Sequence, residues 1–335
     1  MTAPGMTATV GAPITFTVRK GGGIAIRIKR NATVQGIQVV VVTGPYSKPR
    51  TLHTDTGTYP VPVGQWYDMV LPAAFLTRYS DPGVDMNWCI ELQIKAIPAA
   101  GQAATLEFAE PRVIQGDGAP RVIWAFDDGR ADQYSVAYPI LKAAGYTGTI
   151  AVEWTNVGAV NRCTLDQYKE LYAAGWEFIG HHTTQITSLS DADAETVFRG
   201  AREWAQNNGF LRGTSHWVWP GGQTDPQKDM IASRYFLTRR KVSPMVNNII
   251  PGVYDPCDTP VYYITQTRPL ADAQAYIDRV AANGNTAHFA FHSLTTGTPT
   301  APEDWTVSDF QALVAYAKSK GLSSTSFDET FGISG

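Results

Sequence analysis

The sequence predicts an antiparallel β domain followed along the chain by an α/β domain, which is either a barrel or a doubly wound sheet. Residues 8 to about 110 read as short strands with no helical period between them. After residue 120, apolar strands and helical segments alternate, which is typical of parallel βα units. The chain has 335 residues, enough for two domains.

The first part of the chain has the two-residue period of β strands. Isoleucine occupies every second position from Ile24 to Ile28. Further runs of this kind cover residues 14–18, 34–42, 66–71, 88–94 and 105–109. We therefore expect a β sandwich or jelly roll over residues 1–115, with a role in glycan binding or attachment. Residues 111–120 contain Gly116 and Gly118 and predict a linker.

The second part, residues 116–335, predicts three strands and two helices in alternation. The apolar run 122–126 predicts a buried strand, and residues 149–152 and 176–180 predict two more. Between them we expect a helix from Ala131 to Ala144 that stops at Gly145, and a helix that Thr164 caps and that ends at Gly175.

The composition excludes several function classes. A net charge of −3 offers no basic face for nucleic acid. No run approaches the roughly 18 apolar residues of a membrane helix, and residues 1–5 lack the features of a secretory signal. The odd set of Cys89, Cys163 and Cys257 predicts buried, inert thiols rather than a disulfide framework.

Two of the predicted strands end in unusual polar residues. Asp127 and Asp128 follow the strand 122–126, and adjacent carboxylates become useful if one binds a cation while the other stays free as a base. A simple Asp-Gly turn is the alternative. His181 and His182 follow the strand 176–180, and alternation allows at most one of them to face Asp128.

A third polar strand end is His292. Alternation places it on the same face as His288, and its position at the end of the apolar run makes it the better candidate for an acid or base. We expect His288 to lie deeper, in a structural role.

Four segments together resemble the polysaccharide deacetylases, which are carbohydrate esterases with a NodB-like domain. The segments are residues 125–129, residues 180–183 with Leu189, residues 217–222 and residues 291–292. The resemblance spans about residues 120 to 332. It implies a distorted (β/α) barrel and a hydrolase that removes N-acetyl groups from a polysaccharide, with Zn²⁺ or another divalent cation.

The resemblance also implies roles for individual residues. Asp127 corresponds to the general base that activates water, and His292 to the general acid that protonates the leaving amine. Asp128 and His182 correspond to metal ligands. The family places another histidine ligand four residues after the first, but this sequence has Ile186 there, which cannot bind a metal.

Ile186 leaves four interpretations open. His181, Gln185 or His216 could supply the third ligand, or the cation could bind weakly to two ligands and water. Catalysis could also proceed without metal, or the domain could be a non-catalytic carbohydrate-binding module. O-acetyl esterase activity is a further alternative, because the same attack by water serves an ester.

The segment 217–222 is similar to the Tyr-Pro-Gly variant of the family, in which the chain forms a groove wall. That similarity implies substrate contacts for four residues of the segment, Trp217, Trp219, Pro220 and Gly221. Trp154 is a further candidate for sugar stacking, although most tryptophans belong to a core. In this variant the arginine that lowers the pKa of Asp127 comes from elsewhere, and Arg240 and Arg268 are the two candidates, with ordinary surface positions as the alternative.

The substrates of this family lie outside cells. We therefore expect action on a surface polysaccharide such as a capsule. A phage virion or tail would explain such action without an export signal, and a lost or trimmed signal is the alternative. Assembly as a homo-oligomer is left open.

Overall fold

The computed structural model describes residues 8–18, 22–43, 50–53, 63–64, 66–72, 89–109, 111–242, 259 and 261–331. The chain divides between Gly118 and Ala119 into two compact units, which we describe separately. The expectations for residues 1–5, residue 88 and Cys257 lie outside the described residues.

The N-terminal unit contains strands in each of the regions where alternation predicted them. They are β1 (Ala8–Phe16), β2 (Gly23–Arg30), β3 (Val34–Thr43), β4 (Arg50–His53), β5 (Tyr67–Pro72), β6 (Cys89–Pro98), β7 (Leu106–Phe108) and β8 (Arg112–Ile114). They form two antiparallel sheets, one in the order β1-β6-β3-β4 and one in the order β5-β2-β7, with β8 also paired to β2. Ile26 of β2, Val39 of β3 and Ile94 of β6 belong to one buried cluster, so the two sheets share a core.

The strands of the C-terminal unit are β9 (Arg121–Asp127), β10 (Thr149–Glu153), β11 (Glu177–His181), β12 (His216–Val218), β13 (Thr238–Arg240), β14 (Tyr262–Tyr263), β15 (Thr286–Phe291), β16 (Ser293–Thr295), β17 (Asp304–Thr306) and β18 (Ser323–Ser324). Eight of them form a parallel sheet in the order β13-β12-β11-β10-β9-β15-β14, with β18 also on β9. The short strands β16 and β17 pair separately.

The helices are α1 (Tyr138–Ala144), α2 (Leu165–Ala173), α3 (Asp191–Asn207), α4 (Pro226–Ala232), α5 (Leu270–Asn283), α6 (Val307–Ser319) and α7 (Phe327–Thr330). The predicted ends of the first two are confirmed: α1 stops at Gly145 in a left-handed conformation (φ 77°), and Thr164 forms a capping box with Gln167 at the start of α2. A π-helical turn, Gln133–Ala137, leads into α1.

The parallel sheet is strongly curled. Arg240 on β13 donates a hydrogen bond to Asp127 on β9, although four strand spacings separate these strands along the sheet. Four spacings in a flat sheet measure roughly 19 Å, well beyond the reach of an arginine side chain. The mixed α/β fold is thus a half-barrel of parallel strands, consistent with the predicted (β/α) barrel.

Aromatic packing fixes the two central strands against each other. Trp124 of β9 stacks on Phe289 of β15, with ring centroids 5.4 Å apart, and both are fully buried. Burial of a large apolar side chain contributes about 1.5–3 kcal/mol. The register pairs Phe126 with Phe291, so the next residues, Asp127 and His292, leave the sheet side by side.

Two further expectations concern cysteines and membranes. Cys89 and Cys163 are buried, as expected, and burial raises the pKa of the Cys163 thiol to about 12. Among the helices in the described part of the chain, none has the length and apolar character to cross a membrane.

Candidate active site

Asp127 is a buried carboxylate paired with a buried arginine. Nη2 of Arg240 lies 2.5 and 2.6 Å from its two carboxylate oxygens. Burial by itself would raise the pKa of Asp127, but the charge of Arg240, with smaller contributions from His292 and His181, outweighs burial and lowers that pKa. Asp127 is therefore ionised at neutral pH, and Arg240, one of the two predicted arginines, orients it.

His292 lies beside Asp127 at the end of the neighbouring strand. Its Nε2 atom is 3.9 Å from Oδ2 of Asp127, and its side chain is 12% exposed. The phenol oxygen of Tyr263 lies 3.4 Å from the same Nε2 atom. Tyr263 was not foreseen, because a tyrosine on a short strand carries no signal of its own in the sequence.

A single amide ties these two strand ends together. Nε2 of the buried Gln133 donates hydrogen bonds to the backbone oxygens of Asp127 and His292, the second at 3.1 Å. Gln133 begins the π-helical turn that follows β9. The same side chain thus links the backbone at Asp127 to the backbone at His292.

Asp128 turns away from Asp127 by a change of backbone conformation. Its φ is 75°, in the left-handed region that aspartate tolerates better than most residues. Its Oδ1 atom lies 3.4 Å from Nε2 of His181, and Arg130 donates two hydrogen bonds of 3.1 and 2.9 Å to Oδ2. Burial opposes ionisation of Asp128, but the hydrogen bond from His181 and the surrounding charges lower its pKa.

Three side chains at this edge of the sheet could hold a metal ion. Asp128, Glu153 and His181 each offer a ligand atom, and these atoms lie within 4.8 Å of one another. Carboxylate oxygen and imidazole nitrogen are ligands that Zn²⁺ and related cations accept. Glu153 was missed in the sequence, although it ends β10 and the rule that led to Asp127 would also have selected it.

The structure corrects the expectation for His182. Its side chain is half-buried and lies outside the group of ligand atoms around Asp128; Nδ1 accepts a hydrogen bond from the backbone of Thr184 at 3.0 Å. His181 is the histidine that faces the carboxylates. Burial opposes its charged form, but Asp128 and Asp127 raise the pKa of His181 on balance.

The other proposed substitutes for the missing ligand lie elsewhere. His216 is fully buried, and its ring nitrogens contact Thr238 at 2.7 Å and Asp328 at 3.0 Å, so its role is structural. The side-chain amide of Gln185 packs against Gly221, and Gln185 is not part of the group around Asp128. Ile186 is fully buried in an apolar cluster.

The predicted sugar-stacking tryptophans are mostly core residues. Trp217 is 0% exposed and Trp219 is 1% exposed, and both pack edge-on against Phe198 of α3. They present no ring face to a glycan, so the structure corrects this expectation. Pro220 is also buried, whereas Gly221 is exposed. Trp154 is half-buried, and its ring centroid lies 6.4 Å from that of His182.

Two remaining predictions differ in outcome. The guanidinium of Arg268 lies 5.1 Å from the ring centre of Tyr262, not beside Asp127, so Arg240 alone fills the predicted arginine position. His288 is fully buried and packs edge-on against Phe327, which confirms a structural role.

Comparisons with known proteins give a family model and several solved structures to which this chain is similar. The family model described as polysaccharide deacetylase matches residues 115–238. A Streptococcus pyogenes deacetylase in complex with acetate is 28% identical, over 34% of this chain and 54% of its own, with a TM-score of 0.33. A family 4 carbohydrate esterase from Streptomyces lividans is 16% identical, over 62% and 92%, with a TM-score of 0.41.

A third solved structure is the carbohydrate esterase domain of a multidomain xylanase from the hindgut metagenome of Trinervitermes trinervoides. It is 14% identical, over 64% of this chain and 90% of its own, with a TM-score of 0.42. A search of curated protein sequences found no match.

The matched segment carries most of the polar site. It includes Asp127, Asp128, Glu153 and His181 at the ends of three adjacent strands, and it stops before His292. Residues 115–238 of this chain are thus similar to the polysaccharide deacetylase family.

Proposed function

We propose that the C-terminal unit removes N-acetyl groups from a polysaccharide, with Asp127 as the base and His292 as the acid. The observation that carries this proposal is the pairing of these two residues at adjacent strand ends, 3.9 Å apart, with Arg240 holding the carboxylate. A base that stays ionised and an imidazole beside it are the two groups that hydrolysis of an amide requires.

The reaction balances with these two groups. Asp127 takes a proton from water as the water oxygen attacks the acetyl carbonyl carbon, which forms a tetrahedral intermediate. The carbon–nitrogen bond then breaks, and His292 gives its proton to the departing amine nitrogen. The products are acetate and a polysaccharide with a free amino group, and transfer of a proton from Asp127 to His292 through water restores both residues.

We further propose a divalent cation, Zn²⁺ or another, at Asp128. A cation bound there would polarise the acetyl carbonyl and lower the pKa of water. The mixed oxygen and nitrogen donors at this edge of the sheet support the proposal.

The role of the N-terminal unit is also a proposal. We infer that it is a β sandwich that binds glycan or attaches the enzyme to a larger assembly such as a phage tail, on the basis of its two antiparallel sheets around one apolar core. The site of action would then be a surface polysaccharide outside a cell. Absence of the chain from purified phage particles would contradict the attachment role.

The test of activity is acetate release from N-acetylated and O-acetylated glycans. General acid–base catalysis contributes about 10²- to 10⁴-fold, so Asp127→Asn and His292→Gln should each reduce kcat by that order. His288→Gln, at a buried site away from the reacting groups, is the matched histidine control for the second variant. Wild-type protein that releases no acetate from any glycan would refute the proposal, and release from esters alone would restrict it to O-acetyl groups.

A further inference from the structure

We propose that Glu153 takes the place of the histidine ligand that Ile186 replaces, so that Asp128, Glu153 and His181 together hold the divalent cation. This inference rests on the proposed function, because the cation would serve the same hydrolysis. It differs from the ligand set implied by the sequence, in which His182 was the histidine.

Strand register brings the three side chains to one point. Glu153 on β10 is the direct partner of His181 on the parallel strand β11. Register partners on parallel strands project to the same face of a sheet. Asp128 follows β9, on the other side of β10, and its left-handed backbone (φ 75°) redirects its carboxylate to within reach of His181.

The hydrogen bonding of His181 prepares its ring to bind a cation. Nδ1 lies 2.9 Å from the backbone oxygen of Val218, and a carbonyl oxygen only accepts. Nδ1 therefore carries a proton, which leaves Nε2, 3.4 Å from Oδ1 of Asp128, as the ring nitrogen that a cation could bind in place of a proton. A proton on Nε2 would form a hydrogen bond between His181 and Asp128 alone, whereas a cation bound to Nε2 would also contact the carboxylate of Glu153.

Two arginines leave the inner carboxylate oxygens available. Arg130 binds Oδ2 of Asp128, and Arg162 binds Oε2 of Glu153 at 2.7 Å, with Asn156 donating to the same oxygen at 3.1 Å. Oδ1 of Asp128 faces His181, and within the described part of the chain no hydrogen bond reaches Oε1 of Glu153.

These contacts describe a built site rather than a loose group of acids. Glu153 is 5% exposed and His181 is 6% exposed, so both are more than nine-tenths buried. Outer hydrogen bonds that orient metal ligands typically change metal affinity by about 10- to 100-fold when they are lost. The arginines and Val218 supply such bonds to all three proposed ligands.

The test measures metal binding without reference to activity. Chains stripped with chelator are dialysed against Zn²⁺ or Co²⁺, bound metal per chain is measured by elemental analysis, and the Co²⁺ absorption spectrum reports the ligand geometry. We expect wild type to bind one ion. Glu153→Gln and His181→Gln should weaken binding more than about 10-fold, whereas the matched control His182→Gln should bind as wild type does.

Thermal unfolding of each variant shows whether weaker metal binding comes from loss of the fold or from loss of a ligand. A variant that has lost only a ligand should still unfold cooperatively. Glu153→Asp keeps the charge on a shorter side chain and should bind with intermediate affinity if Glu153 is a ligand. Wild-type affinity in Glu153→Gln, loss of binding in His182→Gln, or no binding by wild type would each overturn the inference.

Acetate release keeps this inference distinct from the proposed function. Hydrolysis that persists in chelator with no metal bound would overturn the metal site and leave the hydrolase in place. Metal binding that depends on Glu153, with no acetate released from any glycan, would support the metal site and refute the proposed hydrolase.

Discussion

At the scale of single residues, Asp127 and Arg240 form a buried ion pair that stabilises the fold. The arginine side chain is 0% exposed and the aspartate side chain 4% exposed. Loss of one partner leaves the other charge buried without compensation, which costs roughly 3–5 kcal/mol.

We therefore expect Arg240→Gln to lower the free energy of unfolding by about that amount, measured by urea denaturation. The matched control is Arg234→Gln, which breaks an exposed ion pair with Glu195 of 3.4 Å. An exposed pair of this kind contributes about 0–1 kcal/mol. Equal effects of the two variants would contradict the assignment of Arg240 as the partner of a buried base.

Tyr263 has a smaller and more specific role. Its phenol lies 3.4 Å from the nitrogen of His292 that faces Asp127, and burial raises the pKa of Tyr263, so the phenol stays protonated. A single hydrogen bond contributes about 0.5–1.5 kcal/mol, so Tyr263→Phe should lower kcat roughly 2- to 13-fold. KM and the melting temperature should stay unchanged. A change in KM alone would assign Tyr263 to substrate binding instead.

At the scale of secondary structure elements, the turn after β9 explains why glycine follows the two aspartates. Gly129 has a φ of 67°, and a Cβ atom there would lie 1.9 Å from the phenol oxygen of Tyr168 on α2. The close approach packs this turn against the helix of the next βα unit. The Asp-Asp-Gly sequence therefore carries a packing requirement as well as a chemical one.

Gly129→Ala should destabilise the protein by the sum of two costs. The left-handed backbone costs an alanine about 1–2 kcal/mol, and the overlap with the Tyr168 hydroxyl adds to it. The double variant Gly129→Ala with Tyr168→Phe removes the hydroxyl and should recover the second cost but not the first, as measured by urea unfolding. No recovery in the double variant would show that the ring, whose nearest other atom is 3.3 Å away, makes the conflict.

The same scale shows what the sequence could predict about the site. Asp127 and His292 could be predicted because each is a polar residue that directly follows an apolar strand, a pattern that is visible in one segment of chain. The alternation of side chains along a strand predicted that at most one of His181 and His182 faces Asp128. It did not select which, because that depends on the register of β11 against β10, a long-range pairing.

At the scale of the whole molecule, the prediction of an α/β fold with parallel strands followed from the alternation of strands and helices after residue 120. The curl of the sheet did not. Long-range packing of this kind cannot be read from local patterns. The burial of Trp217 and Trp219, for example, depends on contacts with Phe198, which lies on helix α3. A local pattern of aromatic residues does not distinguish a groove from a core.

A second polar cluster lies at the amino ends of the strands, opposite the active site. Glu177 begins β11, is 1% exposed, and accepts hydrogen bonds from the backbone of Phe327 at 2.7 Å and of Asp328 at 3.1 Å. Burial, with a further contribution from Asp328, raises the pKa of Glu177 to about 7. This cluster links the last helix to the sheet.

The raised pKa of Glu177 predicts how stability changes with pH. The folded chain holds this proton more tightly than the unfolded chain does. The stabilisation is therefore complete below 4.5, the ordinary pKa of a glutamate, and is lost as the pH rises through about 7. From about pH 5 to pH 8, wild type should lose on the order of 3 kcal/mol relative to Glu177→Gln.

Urea unfolding of both proteins across this range measures the difference. Burial lowers the pKa of the nearby His216, which gives the opposite pH dependence, but both proteins contain His216 and its effect cancels in the comparison. Parallel pH profiles for the two proteins would contradict the prediction.

The π-helical turn Gln133–Ala137 has a consequence for how the chain tolerates insertions and deletions. Such a turn holds one more residue than an α-helical turn, and each residue rotates a helix by about 100°. A chain one residue shorter in this turn would keep Asp127 and His292 but would swing the Gln133 amide away from their carbonyl oxygens. We therefore expect a change of length in this segment to reduce acetate release much more than substitutions on its exposed face do.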